Sequence, residues 1–192
     1  MILDKHYWTQ RYQQDDTPWQ LSHASAPLKH VISQIEDKNC SILIPGAGNS
    51  RDASYLLQQG FTNVHILDFA EPALESLQQQ IESDEITLHL EDFFDHEGSY
   101  DFILEQTFFC ALESRFRESY PKKCHDLLKS DGAIKGVLFQ FESDRTEPPY
   151  GGNAEEYRRL FSPFFEIKSM ENCEISEPDR RGRELLIHFL KK

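Results

Sequence analysis

Two glycines and an acid carry the first chemistry legible in this chain. Ser41-Ile-Leu-Ile-Pro-Gly-Ala-Gly-Asn-Ser-Arg-Asp52 reads as an apolar strand, a two-glycine turn and the opening of a helix; Val64-His-Ile-Leu-Asp68 reads as a second strand ending in a carboxylate. That carboxylate lies 22 residues beyond the first glycine (68 minus 46). The spacing suits an acid at the carboxyl end of a neighbouring strand that accepts from ribose hydroxyls. Gly46 and Gly48 have no side chains, so backbone amides and carbonyls there can approach a bound molecule closely. Arg51 stands where a dinucleotide fingerprint has its third glycine, which denies a pyrophosphate its close helix approach. S-adenosylmethionine carries a sulfonium and an amino acid instead, so two glycines and a ribose acid suffice for it. A strand-to-helix turn without a ligand is the structural alternative.

Further candidates follow the later strands, where ligands of open α/β sheets bind. In Glu91-Asp-Phe-Phe94, Asp92 is placed to accept from an adenine amino group while Phe93 packs its ring; an ordinary loop over core is the alternative. Glu147-Pro-Pro-Tyr150 resembles the Asp/Asn-Pro-Pro-Tyr signature of amino-group methyltransferases, but it falls after strand five rather than strand four. Its prolines are expected to shape a rigid loop, with Tyr150 lining the acceptor side. Both tryptophans sit in Tyr7-Trp-Thr-Gln-Arg-Tyr12 and Thr17-Pro-Trp-Gln20. Such aromatic density outside the sheet suggests a lid that stacks on adenine and favours a sulfonium by cation–π contact. A helix pinned to the core by large rings would give the same pattern.

Those residues need a scaffold, and the chain alternates short apolar runs with longer amphipathic ones, as a parallel sheet with crossover helices requires. Strands are expected at 42–45, 64–68, 86–90, 102–105, 134–141, 165–170 and 184–190. Helices are expected at 51–59, 72–82, 115–129 and 154–161. Glu71 is the expected cap of the second of these, and Asp131-Gly132 the exit of the third. Only a polar loop, 171–183, separates the last two strands, which predicts an antiparallel hairpin closing the sheet. A nicotinamide enzyme would need a substrate domain for which little chain remains.

With 192 residues and 39% hydrophobic content, the chain suits one domain, 1–192, burying roughly 70% of its unfolded surface, with 1–37 as an N-terminal helical and aromatic lid. A net charge of −13 repels phosphate backbones and disfavours nucleic acid as a substrate. Cys40, Cys110, Cys124 and Cys173 show neither Cys-x-x-Cys pairing nor zinc spacing. They read as reduced thiols of a cytoplasmic protein, Cys110 as a buried, inert one rather than a nucleophile. No signal peptide or membrane span is expected, no metal, and a monomer.

Taken in order, separated motifs resemble the thiopurine S-methyltransferase family, in its thiol and halide methyltransferase branch, over nearly the whole chain. They are Tyr7-Trp-Thr-Gln-Arg-Tyr12 with Thr17-Pro-Trp19; Leu43-Ile-Pro-Gly-Ala-Gly48, similar to the family's Leu-Val-Pro-Gly-Cys-Gly; Asp68 with Glu91-Asp-Phe93; Tyr100-Asp-Phe-Ile and Thr107-Phe-Phe-Cys-Ala-Leu-Glu113 with Arg117-x-x-Tyr120 and Leu127-Leu-Lys-Ser-Asp-Gly132; and Pro148-Pro-Tyr150 with Pro178-Asp-Arg-Arg-Gly-Arg-Glu184. The resemblance implies a class I methyltransferase fold: a Rossmann-like, seven-stranded, mostly parallel α/β sheet with an antiparallel terminal hairpin and helices on both faces. It places Trp8, Tyr12, Trp19, Gly46, Asp68, Asp92, Phe93 and Gln106 on cofactor-contacting positions, and Arg117, Tyr150 and Arg180 near the acceptor. The implied reaction is in-line transfer of the S-adenosylmethionine methyl to a thiol, thiopurine, selenide or halide. Glu105 and Gln106 depart from the family's Asp with Arg or Tyr, and Glu147 replaces a glycine. Small-molecule N- or O-methylation and a catalytically silent cofactor-binding protein are the alternatives.

Overall fold

Short apolar runs ending in glycine, proline or acid become the central strands. A computed structural model describes residues 3–81, 83–143 and 146–192. Ile42–Pro45 (β1), Val64–Asp68 (β2) and Ile86–Leu90 (β3) have the bounds expected from sequence, and β1 is buried throughout, as a strand covered on both faces must be. Tyr100–Glu105 (β4), Leu128–Phe139 (β5), Phe165–Asn172 (β6) and Glu184–Lys191 (β7) complete a seven-stranded sheet of order β3-β2-β1-β4-β5-β7-β6. Strands β1 to β5 run parallel, and β7 is antiparallel to both β5 and β6. The expected hairpin is therefore present, with its second strand inserted next to β5.

Period-two alternation divides the core between two faces. Leu43 faces Tyr120, Tyr157 and Phe161 from helices Ser119–Leu127 (α6) and Ala154–Phe161 (α7). Ile42 and Ile44 face Ala26–Ser33 (α2), Arg51–Gln58 (α3) and Glu71–Gln78 (α4). Lys5–Gln13 (α1) buries no residue and lies over the carboxyl ends of the strands among the residues of a large cavity. The 1–37 segment thus divides: α1 and the following loop cover the cavity, whereas α2 buries Leu28 and Ile32 completely in the core.

The helix expected at 115–129 splits into Ser114–Arg117 (α5) and α6. Pro121 explains the break, because it has no N–H for the carbonyl one turn back and restricts the residue before it. Asp131-Gly132 is not the helix exit: α6 ends at Leu127, Leu128 pairs with Tyr100, and a register shift brings Ala133 opposite Phe102, with Asp131 at φ 63. Glu71 does not cap α4; Ala70 occupies that position without a side-chain bond, and Glu71 is an exposed first-turn residue. The far end of that expected helix, Glu82, lies outside the described residues. No helix among the described residues is long and apolar enough to cross a membrane.

Candidate active site

The strand order reverses between β1 and β4, and a cavity of about 810 Å³ opens beyond their carboxyl ends, the place where α/β sheets bind ligands. After β1, Gly46 and Gly48 adopt φ +56 and +54, a left-handed backbone that favours glycine. A side chain on Gly46 would collide with the Phe108 ring, and one on Gly48 with the Tyr12 hydroxyl. Only glycines fit this turn, and Ser50 then caps α3 by accepting from the Asp52 N–H.

Asp68, at the end of β2, is buried beside this turn and accepts from the Gly48 N–H at 2.8 Å and the Ala70 N–H at 2.8 Å. One carboxylate therefore ties the loops after β1 and β2 together. Burial pushes it up to about 6 despite the backbone donors. Its negative field and, foremost, burial raise the Tyr12 phenol. After β3, Asp92 is exposed on the wall and accepts from the Phe94 N–H at 2.8 Å, while Phe93 is buried edge-on against Phe108 at 5.2 Å.

After β4, Glu105 is buried, its Oε1 accepting from the N–H groups of Phe108 at 2.9 Å and Phe109 at 3.0 Å, and its Oε2 from the Tyr120 hydroxyl. Burial lifts it to about 7. It shapes the loop rather than the cavity wall, which begins at Gln106 and continues through Thr107, held at φ 59, the kind of backbone strain that clusters at functional sites. Gln106 accepts at Oε1 from the Ser25 hydroxyl at 2.8 Å, and the Ser25 N–H donates to Asp52 Oδ1 at 3.0 Å. Asp52, pushed up to about 6 by burial, is a second wall carboxylate.

Trp8 and Trp19 pack edge-on with ring centroids 5.4 Å apart, Tyr12 joins Trp19 at 6.1 Å, and the Arg11 guanidinium lies 4.8 Å from the Trp19 ring. Arg11 is held by the Tyr7 hydroxyl at 2.7 Å and by Asp16 at 2.8 Å. All four line the cavity. Arg180 joins this wall, donating to the Trp19 carbonyl at 2.7 Å and standing 3.7 Å from buried Glu184.

Nearly all the residues singled out from sequence thus converge on one cavity: Trp8, Tyr12, Trp19, Gly46, Asp68, Asp92, Phe93, Gln106 and Arg180 form its wall, with Gly48 just behind. Arg117 and Tyr150 do not join them. The Arg117 guanidinium is committed to Glu156 at 3.1 Å, the Gly151 carbonyl at 2.8 Å and the Phe109 ring. Tyr150 directs its hydroxyl to the Thr146 carbonyl, leaving Glu147, Pro148 and Pro149 at the cavity. Cys110 touches the cavity, but burial raises its thiol strongly and Sγ points at the Thr107 carbonyl. Sequence reading missed Ser25, Asp52, Arg11 and Phe69. Ser25 before Ala-Pro and Asp52 in a first helical turn carried helix-cap signals, and Phe69 follows the ribose acid directly.

A family model for thiopurine S-methyltransferase matches residues 3–192. A protein of Arabidopsis thaliana described as probable thiol methyltransferase 2 is 27% identical, the match covering 96% of this chain and 84% of that protein. A thiopurine S-methyltransferase of Acinetobacter baylyi is 24% identical over 94% of each chain. Among solved structures, Burkholderia thailandensis 1,6-didemethyltoxoflavin-N1-methyltransferase, with bound 1,6-didemethyltoxoflavin and S-adenosylhomocysteine, shares the fold at a TM-score of 0.81 and 18% identity, over 99% of this chain and 88% of that one. With the glycine turn, the buried Asp68 and the aromatic segment gathered on one cavity, the chain belongs to the thiopurine S-methyltransferase family and is an S-adenosylmethionine-dependent methyltransferase.

Proposed function

We propose that this methyltransferase passes the methyl group of S-adenosylmethionine to a small soft nucleophile, a thiol, thiopurine, selenide or halide. The cofactor supplies an electrophilic methyl on a sulfonium. Asp68 would accept from its ribose hydroxyls, Asp92 and Phe93 would hold its adenine, and Gly46 would admit its amino-acid end to the backbone. Trp8, Tyr12 and Trp19 would cover it and exclude water, while Gln106, anchored by Ser25, would fix the loop beyond β4. The residues fit: a side chain on either turn glycine would fill the cradle, and two buried carboxylates face a cavity suited to a cationic ligand.

The observation that carries the acceptor class is the composition of the far wall. Part of that wall is aromatic and proline-rich, with Phe116, Phe139, Pro148 and Pro149 among the charged Glu113, Arg115, Glu147 and Asp179, and Arg180 presents a largely covered guanidinium, its side chain 11% exposed. Aromatic and proline surface beside the Arg180 guanidinium suits a small polarizable anion or thiolate, which needs little general-base help, so alignment in a dry site supplies most of the acceleration. Relatives described as thiol and thiopurine methyltransferases support the same class. Arg117, tied to Glu156, positions the wall rather than meeting the acceptor, and Tyr150 anchors the proline loop. Glu105 has a structural task in its loop, so its departure from the family pattern removes no reacting group. The four free, buried cysteines suit a reducing cytoplasm. Incubating purified protein and S-adenosylmethionine with thiols, iodide and thiopurines tests this. S-adenosylhomocysteine formed with at least one soft acceptor is expected, and none with any of them overturns it.

A further inference from the structure

On the edge strand β3 and the loop that follows it, three side chains gather with no part in methyl transfer. Glu91 Oε1 lies 2.7 Å from His96 Nδ1 and 3.7 Å from His89 Nδ1. Among the described residues one donor atom from each of the three lies within 4.8 Å of the others, close enough for one ion after a small side-chain adjustment. His96 is buried and Glu91 is open to solvent, so the group has a floor and an access route.

Hydrogen bonding at the far side of each imidazole sets its polarity. Asn63 Oδ1 lies 2.9 Å from His65 Nε2, a contact satisfied by the tautomer in which that nitrogen carries the proton. A neutral His65 then accepts at Nδ1, 3.0 Å from His89 Nε2, which donates. A neutral His89 is left with a bare lone pair at Nδ1, facing a carboxylate that can only accept. Two acceptors confront each other with no proton between them, an arrangement that a cation satisfies and a hydrogen bond does not. His96 Nε2 lies 2.7 Å from the Tyr100 hydroxyl; moving its proton to that nitrogen frees Nδ1 as a third donor without changing the charge. Metal-bound histidines are oriented in just this way, by a partner on the distal ring nitrogen.

The geometry points to a structural site for a zinc-class divalent cation, held by His89 Nδ1, Glu91 and His96 Nδ1 and completed by solvent. Two imidazoles and one carboxylate suit zinc and its late first-row neighbours, whereas magnesium and calcium prefer all-oxygen donors. Glu91, Asp92, Phe93 and Phe94 all line the cavity, so an ion here would brace the loop on which the adenine is proposed to rest. The site stands independently of the methyl acceptor.

Chelator-stripped, tag-free protein titrated calorimetrically with zinc chloride tests it, alongside Glu91→Gln and His89→Asn, each checked for an unchanged circular dichroism spectrum. One equivalent bound by the wild type, about tenfold or more weaker in both variants, with a zinc-dependent rise in Tm confined to the wild type, is the expected result. No binding to the wild type, or equal binding by the variants, overturns it. Cobalt supplies a readout that needs no variant: nitrogen and oxygen coordination bands are expected, and thiolate charge-transfer bands would place the ion on cysteine and overturn the site.

Discussion

Asp68 does two jobs that pull against each other. It accepts two backbone N–H groups that fix the loops of the cofactor cradle, and it is held as a buried carboxylate whose ionisation is displaced to about 6. In the proposed cradle ribose hydroxyls would donate to the ionised form, so cofactor affinity should fall as pH drops through that value, approaching about tenfold per pH unit below it. Calorimetric titration with S-adenosylhomocysteine between pH 8 and 5 measures this. Asp68→Ala is expected to abolish micromolar binding at pH 8, and a flat wild-type profile would refute the assignment. Two arginines make a second contrast. Arg180→Met should lower kcat/KM for the acceptor, scored on the folded fraction because the change also strands buried Glu184 and the Trp19 carbonyl. Arg117→Met, which strands Glu156 and the Gly151 carbonyl, should instead lower stability by a few kcal/mol, measured as a fall in denaturant midpoint with kcat/KM of the folded fraction retained.

At the level of elements, the strands were legible and the joints were not. β1, β2 and β3 have the bounds read from apolar runs closed by Pro45, Asp68 and Leu90; buried β1 and β2 leave a near-continuous hydrophobic signature, whereas edge strand β3 alternates Ile86, Leu88 and Leu90 with Thr87 and His89. The break before α6 was written in Pro121 but hidden by helical periodicity on either side. The start of β5 at Leu128 depended on a register shift against Tyr100, a tertiary fact with no local signal. The residues that reach the cavity were readable because their loops sit at fixed positions after each strand. Arg117 and Tyr150 failed to reach the cavity because side-chain direction is decided by partners distant in sequence, here Glu156 and Thr146. The α1 segment offers a direct test of the lid. Both tryptophans of the chain, Trp8 and Trp19, lie in it, so intrinsic tryptophan emission reports on that segment alone. Saturating S-adenosylhomocysteine should change the emission of the wild type and leave Asp68→Ala unchanged. Trp19→Ala should weaken binding by about 0.5–2 kcal/mol, the range of one cation–π contact, and an unaltered affinity would remove Trp19 from the cofactor's surroundings.

For the whole molecule, four buried carboxylates, among them Glu184, which burial also raises, set an unusual dependence of stability on pH. Asp52 and Asp68 are displaced to about 6 and Glu105 to about 7, in each case chiefly by burial. A carboxylate with a raised folded value binds its proton more tightly in the native state than in the unfolded chain. Stability therefore rises as pH falls from about 7.5 towards 5, and is lost as pH climbs through the folded values, by on the order of 3 kcal/mol per group. The net charge of −13 acts in the same direction, since protonation relieves self-repulsion. Thermal unfolding of the cofactor-free protein should give a higher Tm at pH 5.5 than at pH 8. Glu105→Gln keeps an acceptor for the Phe108 and Phe109 N–H groups and removes the ionisation. It should raise Tm at pH 8 and flatten the profile between pH 6 and 8, where Glu105 titrates. A wild-type Tm that falls steadily on acidification from pH 8 would mean that these carboxylates are solvated rather than buried, and with them the cofactor cradle would have to be open. Cofactor binding should reverse the trend in part, because donors placed on Asp68 favour its ionised form, so the stabilisation conferred by S-adenosylhomocysteine should be larger at pH 8 than at pH 5.5.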